Sequence, residues 1–461
     1  MEQLNAKKVH FIGIGGISMS GLAEILKRDG YEVTGSDHVR SAVTERLESV
    51  GIPVKVPNKA QNIEDDVDLV VYTAAVNKDN PEFIAAVEKG KTLIERAALL
   101  GIMLKGYDHA ICVAGTHGKT TATSFMSEIV LDAGLDPTIN IGGHMGRGGM
   151  NYRVGDSSYF VLEACEYNNS FHHWHPYLGI ILNIDADHLD FFGDFEGVVR
   201  SFRRFAENIR PEGTLVILAG TPGFDDVTRG LPCRVVTFGE DAGDYQVRNV
   251  IYDDFGRPSF DIVQGENFLA AVSLPLAGQY NMLNALATFA AACQLGIAPE
   301  TAAKALTGAK GAKRRFEDKG MYNGAMVVDD YAHHPTEIQA CLAAARKSAK
   351  GVNSAQGKLI CLFQPHTYSR TKNLLSEFST SFVNADQVVL LPIFPSREAF
   401  DPTISSLDLE KGIKAAGGNV IHTNNFDEAL AFLQQTLTPG DLLITMGAGD
   451  VYFVGERLVL S

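Results

Sequence analysis

With 461 residues, 45% of them hydrophobic and 21% charged, the chain is too long for one compact core and reads as about three soluble globular units. Forty basic against 55 acidic side chains leave a net charge of −15, which argues against nucleic acid and acidic membranes as partners but allows a local basic pocket for a small anion. No apolar run reaches membrane-spanning length, Met1 to Lys8 enters a strand without a signal-peptide core, and Cys112, Cys165, Cys233, Cys293, Cys341 and Cys361 form no CxxC pair. A cytoplasmic location and buried free thiols are expected.

In chain order, short apolar runs alternate with helical patterns. Val9 to Ile14 reads as a strand, Met19 to Arg28 as a helix, Tyr31 to Asp37 and Leu69 to Tyr72 as further strands, which is the pattern of a parallel sheet with crossover helices. The turn Gly13-Ile-Gly15-Gly16-Ile-Ser18 lies between strand and helix, and Asp37 ends the next strand where a dinucleotide fold keeps a ribose-binding acid. Taken alone this suggests NAD and an oxidoreductase. Ser18, however, replaces the third glycine, and nothing downstream looks like a hydride-transfer site. A diphosphate-sugar is the better ligand for such a turn, with a glycine turn that binds nothing as the plain alternative.

A second α/β run starts at His109 to Val113, continues through Tyr159 to Leu162 and Leu178 to Leu182, and closes near an alanine-rich helix at 284 to 294. Its first strand leads into Gly115-Thr116-His117-Gly118-Lys119-Thr120-Thr121 at the start of a helix. Close-approaching backbone N–H groups at Gly115 and Gly118, the Lys119 ammonium and the Thr120 hydroxyl are what a triphosphate and its metal require. Val113 occupies the place of the first P-loop glycine, so this is a shortened variant. Glu163, Cys165 and Glu166 follow one strand, and Asp185, Asp187, His188 and Asp190 follow another, at the same carboxyl edge. Mg²⁺ takes oxygen ligands and few of them from protein, and Thr120, Glu163 and His188 are the expected set. His172, His173 and His175 flank Trp174 without the cysteine spacing of a zinc site, and read as surface or substrate-facing residues. A third α/β run holds strands at Ala325 to Asp330, Lys358 to Phe363, Gln387 to Leu391 and Asp441 to Met446. The expected architecture is three consecutive α/β domains: a Rossmann-like one at 1–106, a P-loop ATPase-type one at 107–312 and a second Rossmann-like one at 313–461.

Gly115 to Thr121, the run Leu-Glu163-Ala-Cys-Glu166-Tyr and the run Asn183-Ile-Asp-Ala-Asp-His188-Leu-Asp190 together resemble the Mur ligase family. Gly13 to Ala23, Asp329 to Glu337 and Phe363 to Thr371 extend the resemblance, in family order, over essentially the whole chain. It implies an amide ligase of peptidoglycan precursor synthesis that uses ATP and Mg²⁺, with UDP-N-acetylmuramate and L-alanine as substrates and a monomer or homodimer as the working state. By resemblance, Gly15, Gly16, Ser18 and Asp37 belong to the UDP-sugar site, and residues 115 to 121 to ATP. Asn281 and Asn284 match adenine contacts, Arg315 an arginine that reaches the nucleotide, and Asp330 a ribose contact. His333, His334, His366 and Arg370 match motifs that face the reacting carboxylate and amino acid, with His333 or His334 as candidate general base. The implied chemistry is attack of the lactyl carboxylate on the γ-phosphate, then attack of the amine on the acyl phosphate, with Lys119 and Arg315 neutralising charge and the third domain closing onto the second. Three departures stand out. Tyr280 replaces a histidine common in relatives, Thr367 replaces an arginine, and no lysine between His188 and Pro211 is available for the carbamate that sister ligases use. A ligase that adds a preformed peptide to the same sugar is the nearest alternative.

Overall fold

Five parallel strands open the chain: Lys8–Ile12 (β1), Glu32–Ser36 (β2), Val54–Lys55 (β3), Leu69–Tyr72 (β4) and Thr92–Glu95 (β5), in the order β3-β2-β1-β4-β5. In this computed structural model the described residues are 4–73, 76–143, 151–253, 256–309, 313–352, 357–396 and 398–461. Residue 312, the expected end of the second domain, lies outside them. The chain divides into two compact units, Met1–Gln246 with Leu286–Ala305, and Val247–Ala285 with Leu306–Ser461.

The first unit also contains His109–Ala114 (β6), Thr138–Asn140 (β7), Tyr152–Arg153 (β8), Tyr159–Glu163 (β9), Leu178–Ile181 (β10), Thr214–Leu218 (β11) and Arg234–Gly239 (β12). They lie side by side as β12-β11-β10-β6-β9-β7-β8, parallel except for the short β7–β8 hairpin. Because β6 sits between β9 and β10, the loops leaving all three strands meet at one carboxyl edge, the place where such sheets bind ligands. The strand interiors are runs of Val, Ile, Leu and Phe with essentially no exposure, as a sheet covered on both faces demands.

One apolar cluster joins residues on both sides of position 106, from Val9 and Leu22 through Leu100 and Met103 to Phe160, Trp174 and Phe202. Polar clamps reinforce it. Trp174 Nε1 donates to the Ala97 carbonyl at 3.0 Å, and Arg210 donates to the carbonyls of Tyr107 and Asp108. The Tyr152 hydroxyl bonds Glu24 on the helix Ile17–Arg28, whose Gly21 leaves room for the Tyr152 ring.

Tyr245–Tyr252 (β13) starts beside β12, and its later residues belong to the second unit with the antiparallel pair Pro258–Gln264 (β14) and Asn267–Ser273 (β15). That unit also holds Glu317–Tyr322 (β16), Ala325–Asp330 (β17), Leu359–Phe363 (β18), Gln387–Leu390 (β19), Val420–His422 (β20) and Leu442–Met446 (β21). Their order is β16-β17-β21-β18-β19-β20, parallel but for β16. The antiparallel strands β14, β15 and β16 extend the expected parallel pattern. All six cysteines are free, as expected. Burial pushes the thiols of Cys112, Cys233, Cys341 and Cys361 above their usual range and that of Cys293 to about 11. Among the described residues no helix is long and apolar enough to cross a membrane.

A buried polar knot organises the end of β2. Glu82, fully buried at the start of the helix Pro81–Glu88, accepts from the Ser36 hydroxyl, from Asn62 Nδ2 at 2.5 Å, and from Asn58 Nδ2 and the Lys59 N–H at 3.2 Å each, with His10 Nε2 at 3.6 Å. Burial opposes the carboxylate charge, but hydrogen bonds from His10, Ser36 and Asn62 outweigh it and hold the carboxyl below its ordinary value of 4.5. Its contribution is therefore complete above that value and lost as pH falls through the folded one. Glu82→Ala strands these donors and is expected to cost about 3 kcal/mol or more, read as a lower urea midpoint, with the gap from wild type narrowing in acid.

Candidate functional site

The cradle between β6 and the helix Lys119–Asp132 is built by close packing. Gly115 has φ +143°, and a Cβ there would lie 2.9 Å from Leu182 Cβ, so only glycine lets the loop lie this near the segment after β10. Gly118, in the left-handed region at φ +83°, turns the chain into the helix. Thr116 and His117 are tied to that neighbouring segment. The His117 N–H donates to Asn183 Oδ1 at 2.8 Å and Asn183 Nδ2 returns a bond to the His117 carbonyl at 3.0 Å. The Asp185 N–H donates to Thr116 Oγ1 at 2.9 Å, and His117 Nε2 lies 3.0 Å from Asp185 Oδ2. Thr121 is buried on the helix.

Thr120 and Glu163 come together. The Thr120 hydroxyl donates to Glu163 Oε1 at 3.1 Å, and Glu163 Oε2 accepts the Gly142 N–H at 2.8 Å. A Cβ on Gly142 would press on the Glu163 carboxylate at 2.8 Å and one on Gly143 on the Thr120 methyl at 2.9 Å, so the pocket depends on small residues. The two hard oxygen donors fit Mg²⁺. His188 stands at the start of the short helix Leu189–Phe192 with φ +53°, its ring against Tyr167 at 4.6 Å and near Asp187 at 3.7 Å.

Lys119 makes three bonds within the cradle. Nζ donates to the carbonyls of Gly115 at 2.7 Å and Thr116 at 2.9 Å and pairs with Glu166 at 2.9 Å. Burial alone would depress the ammonium, but Glu166 outweighs it and the lysine is held above its usual range. In the sequence Glu166 is legible only as an acid after β9, at the same carboxyl edge as the cradle; its pairing with Lys119, 47 positions away, is not.

At the N-terminal turn, Gly15 N–H donates to Asp37 Oδ2 at 2.9 Å, and a Cβ on Gly15 would meet that oxygen at 2.8 Å. The other Asp37 oxygen takes the His38 N–H, so the acid shapes the turn itself. Gly16 caps the helix Ile17–Arg28. The Ser18 hydroxyl accepts from Arg96, a guanidinium whose charge is disfavoured by burial and which the sequence reading missed. His172 bonds the Ser201 carbonyl at 3.0 Å and is structural, while His173 and His175 are exposed, and the three form no metal-sized cluster among the described residues. The helix Phe195–Glu207 carries Arg200, Arg203 and Arg204 and no lysine.

In the second unit, Asn281 is buried on the helix Gln279–Gln294. Its Nδ2 donates to the Ala277 carbonyl at 2.7 Å, while its buried Oδ1 has no partner among the described residues, an acceptor fit for a purine amine. Asn284, one turn on, is also buried. Tyr280 packs over Gly278, and burial raises its hydroxyl well above the ordinary value. Asp330 accepts the N–H groups of Phe316 at 2.8 Å and Ala332 at 2.7 Å. Burial pushes its carboxyl up to about 6, against the pull of Arg315. Arg315 lies over the Tyr331 ring at 5.2 Å. Its neighbour Arg314, at φ +60°, pairs with Asp329 at 3.0 Å and donates to the carbonyls of Gly447 and Gly449, which anchors the entry to the third domain.

His333 and His334 begin the helix Pro335–Val352, their N–H groups both on Glu337 Oε2. The His333 ring meets His366 edge-on at 5.6 Å, and Phe394 stacks on His366 at 5.7 Å. Arg370 donates to His366 Nδ1 at 3.3 Å, which leaves Nε2 as the protonated nitrogen of a neutral ring. Glu398, absent from the sequence reading, holds the Ser369 N–H and hydroxyl and so fixes the turn bearing Arg370.

Residues 8–108 match the model described as Mur ligase family, catalytic domain, residues 113–292 the Mur ligase middle domain, and residues 314–449 the Mur ligase, glutamate ligase domain. The chain belongs to the Mur ligase family. It is 44% identical over 450 residues to the UDP-N-acetylmuramate–L-alanine ligase of Clostridium tetani, covering 98% of this chain and 97% of that one. Among solved structures it is similar to the UDP-N-acetylmuramate–alanine ligase of Thermotoga maritima, with a TM-score of 0.80, 27% identity and 98% of both chains covered. It is also similar to a murein peptide ligase of Psychrobacter arcticus, with a TM-score of 0.72, 25% identity and the same coverage. The fold is the family's three α/β domains in sequence.

Burial, aided by His333 and Arg370, pushes the His366 ring down to about 4 from its ordinary 6.5. The unfolded chain takes up this proton before the folded one does, so stability falls as pH drops from 6.5 towards 4. An NMR titration of the imidazole nitrogens is expected to show His366 neutral down to pH 5, with Arg370→Ala raising its pKa.

Proposed function

We propose that the protein joins L-alanine to the lactyl carboxylate of UDP-N-acetylmuramate in an ATP-dependent reaction that proceeds through an acyl phosphate, in peptidoglycan precursor synthesis. The observation that carries this reading is the cradle of Gly115 to Thr121 with Lys119 at its centre and the Thr120–Glu163 oxygen pair beside it, in a chain alike from end to end to L-alanine-adding relatives. We assign 1–106 to the UDP-sugar, 107–312 to ATP and 313–461 to the amino acid, and the cytoplasm as the site of action.

A carboxylate oxygen of the lactyl group attacks the γ-phosphorus of ATP, the bond to the ADP oxygen breaks, and the carboxyl carbon becomes electrophilic. The neutral amine of L-alanine then adds to that carbon, and the tetrahedral adduct expels phosphate. Gly115 and Gly118 let the loop close around phosphate oxygens, while Lys119 and Arg315 balance the charge that moves to the leaving ADP. Thr120 and Glu163, with His188 as third ligand, would hold Mg²⁺, which when bound supplies further neutralisation of the phosphates. Gly15, Gly16, Ser18 and Asp37 shape the turn for the UDP diphosphate. Asn281 and Asn284 receive the adenine and Asp330 the ribose. His366 and Arg370 orient the amino acid's carboxylate, and His333 and His334 are the groups to take the amine proton.

Phosphate release from ATP is expected only with UDP-N-acetylmuramate and L-alanine together, and Lys119→Ala is expected to lower kcat by roughly a hundredfold or more. Release with a stem tripeptide but not with L-alanine would move the protein to the peptide-adding reading, and no release with any acceptor would overturn ligation. Gly142→Ala, which crowds the Glu163 carboxylate, is expected to raise the Mg²⁺ concentration for half-maximal rate about tenfold with little change in melting temperature.

A further inference from the structure

Lys119 has three N–H donors, and all three are used: two on the carbonyls of Gly115 and Thr116, one on Glu166. A phosphate oxygen therefore gains this ammonium only by displacing a partner it already has. Glu166 is the charged partner and is deeply buried, with 2% of its side chain exposed against 14% for Lys119.

The carboxylate is mounted on a stiff support. The Ala164 N–H donates to the Val113 carbonyl at 2.8 Å, which pins the segment after β9 to the strand leading into the cradle. The Glu166 carbonyl accepts the Asn169 N–H at 2.9 Å, in a turn where Asn168 and Asn169 both take left-handed conformations that asparagine tolerates. Asn169 Oδ1 in turn accepts the Ser201 hydroxyl at 2.6 Å from the helix Phe195–Glu207. The segment thus presents two carboxylates three residues apart, Glu163 on Thr120 and Glu166 on Lys119.

We propose that Glu166 is a positioning residue for Lys119: it holds the ammonium down on the loop when no nucleotide is present, so that the phosphates of ATP bind by taking Lys119 from it. This rests on the reading of the cradle as the ATP site. The exchange keeps a buried lysine paired with an anion throughout, and it makes nucleotide affinity the difference between two ion pairs rather than the strength of one.

The test is calorimetric titration of a non-hydrolysable ATP analogue with Mg²⁺ into wild type, Glu166→Gln, Lys119→Ala and the double variant, each with its melting temperature. Glu166→Gln is expected to tighten binding roughly three- to tenfold, the size of one partly buried charge pair. In the Lys119→Ala background the same change is expected to have less than about a twofold effect, because Glu166 acts through the lysine. Equal tightening in both backgrounds would mean simple repulsion between Glu166 and phosphate and would overturn the proposal, as would unchanged affinity in a folded Glu166→Gln protein. If that variant melts below the assay temperature, Glu166→Asp, which keeps the charge on a shorter stem, is expected to tighten binding by a smaller factor, and unchanged affinity there counts against the proposal equally. Wild type that binds no nucleotide would instead remove the cradle reading itself.

Discussion

The separation between Gly115 and Leu182 leaves no room for one further carbon atom, and the loop leading into the helix Lys119–Asp132 takes its shape from that contact. Pressed against the segment after β10, the loop exchanges bonds with Asn183 and Asp185 through Thr116 and His117 and delivers Lys119 and Thr120 to the first turn of a buried helix. With β6 between β9 and β10, the carboxylates that follow β9 arrive on one side and those that follow β10 on the other. Anion binding at a helix start depends on backbone N–H groups, and tight packing behind the loop fixes the backbone that carries them.

The N-terminal sheet is fastened to this core rather than tethered to it. Tyr152 reaches Glu24 from a hairpin whose other strand leads to Gly142, the residue whose N–H holds Glu163. The same few residues therefore touch the helix that starts at the glycine turn and the carboxylate beside Thr120. Trp174 on Ala97 and Arg210 on Tyr107 and Asp108 add further fixed points, so the glycine turn and the cradle share one compact unit and one apolar core.

Much of this was readable from the residues. Parallel strands such as Leu69–Tyr72 and Ala325–Asp330 stand in the sequence as uninterrupted apolar runs, because a strand covered on both faces has no polar side to show. The cradle was readable because its glycines, lysine and threonine are adjacent in the chain. The pair β14 and β15 went unread: its faces alternate, and its turn signal is a single glycine, Gly265, at φ +60°. The contacts of Glu166, Arg96 and Glu398 were missed for a different reason. Each acts on a residue distant in sequence, 47, 78 and 29 positions away, and no local spacing reveals such a partner. Asp37 and Asp330 were legible as acids at strand ends, but their backbone bonds to Gly15, Phe316 and Ala332 depend on how loops fold back, which composition does not encode.

The buried thiols carry a practical meaning. Alkylating reagents attack thiolates, and burial keeps the sulfurs of Cys112, Cys233, Cys341 and Cys361 protonated and out of reach while the fold is closed. Two of them lie in the first unit and two in the second. The chain thus contains its own chemical clock for opening: the rate at which an alkylating reagent labels each pair reads how often that unit unfolds, with no residue replaced.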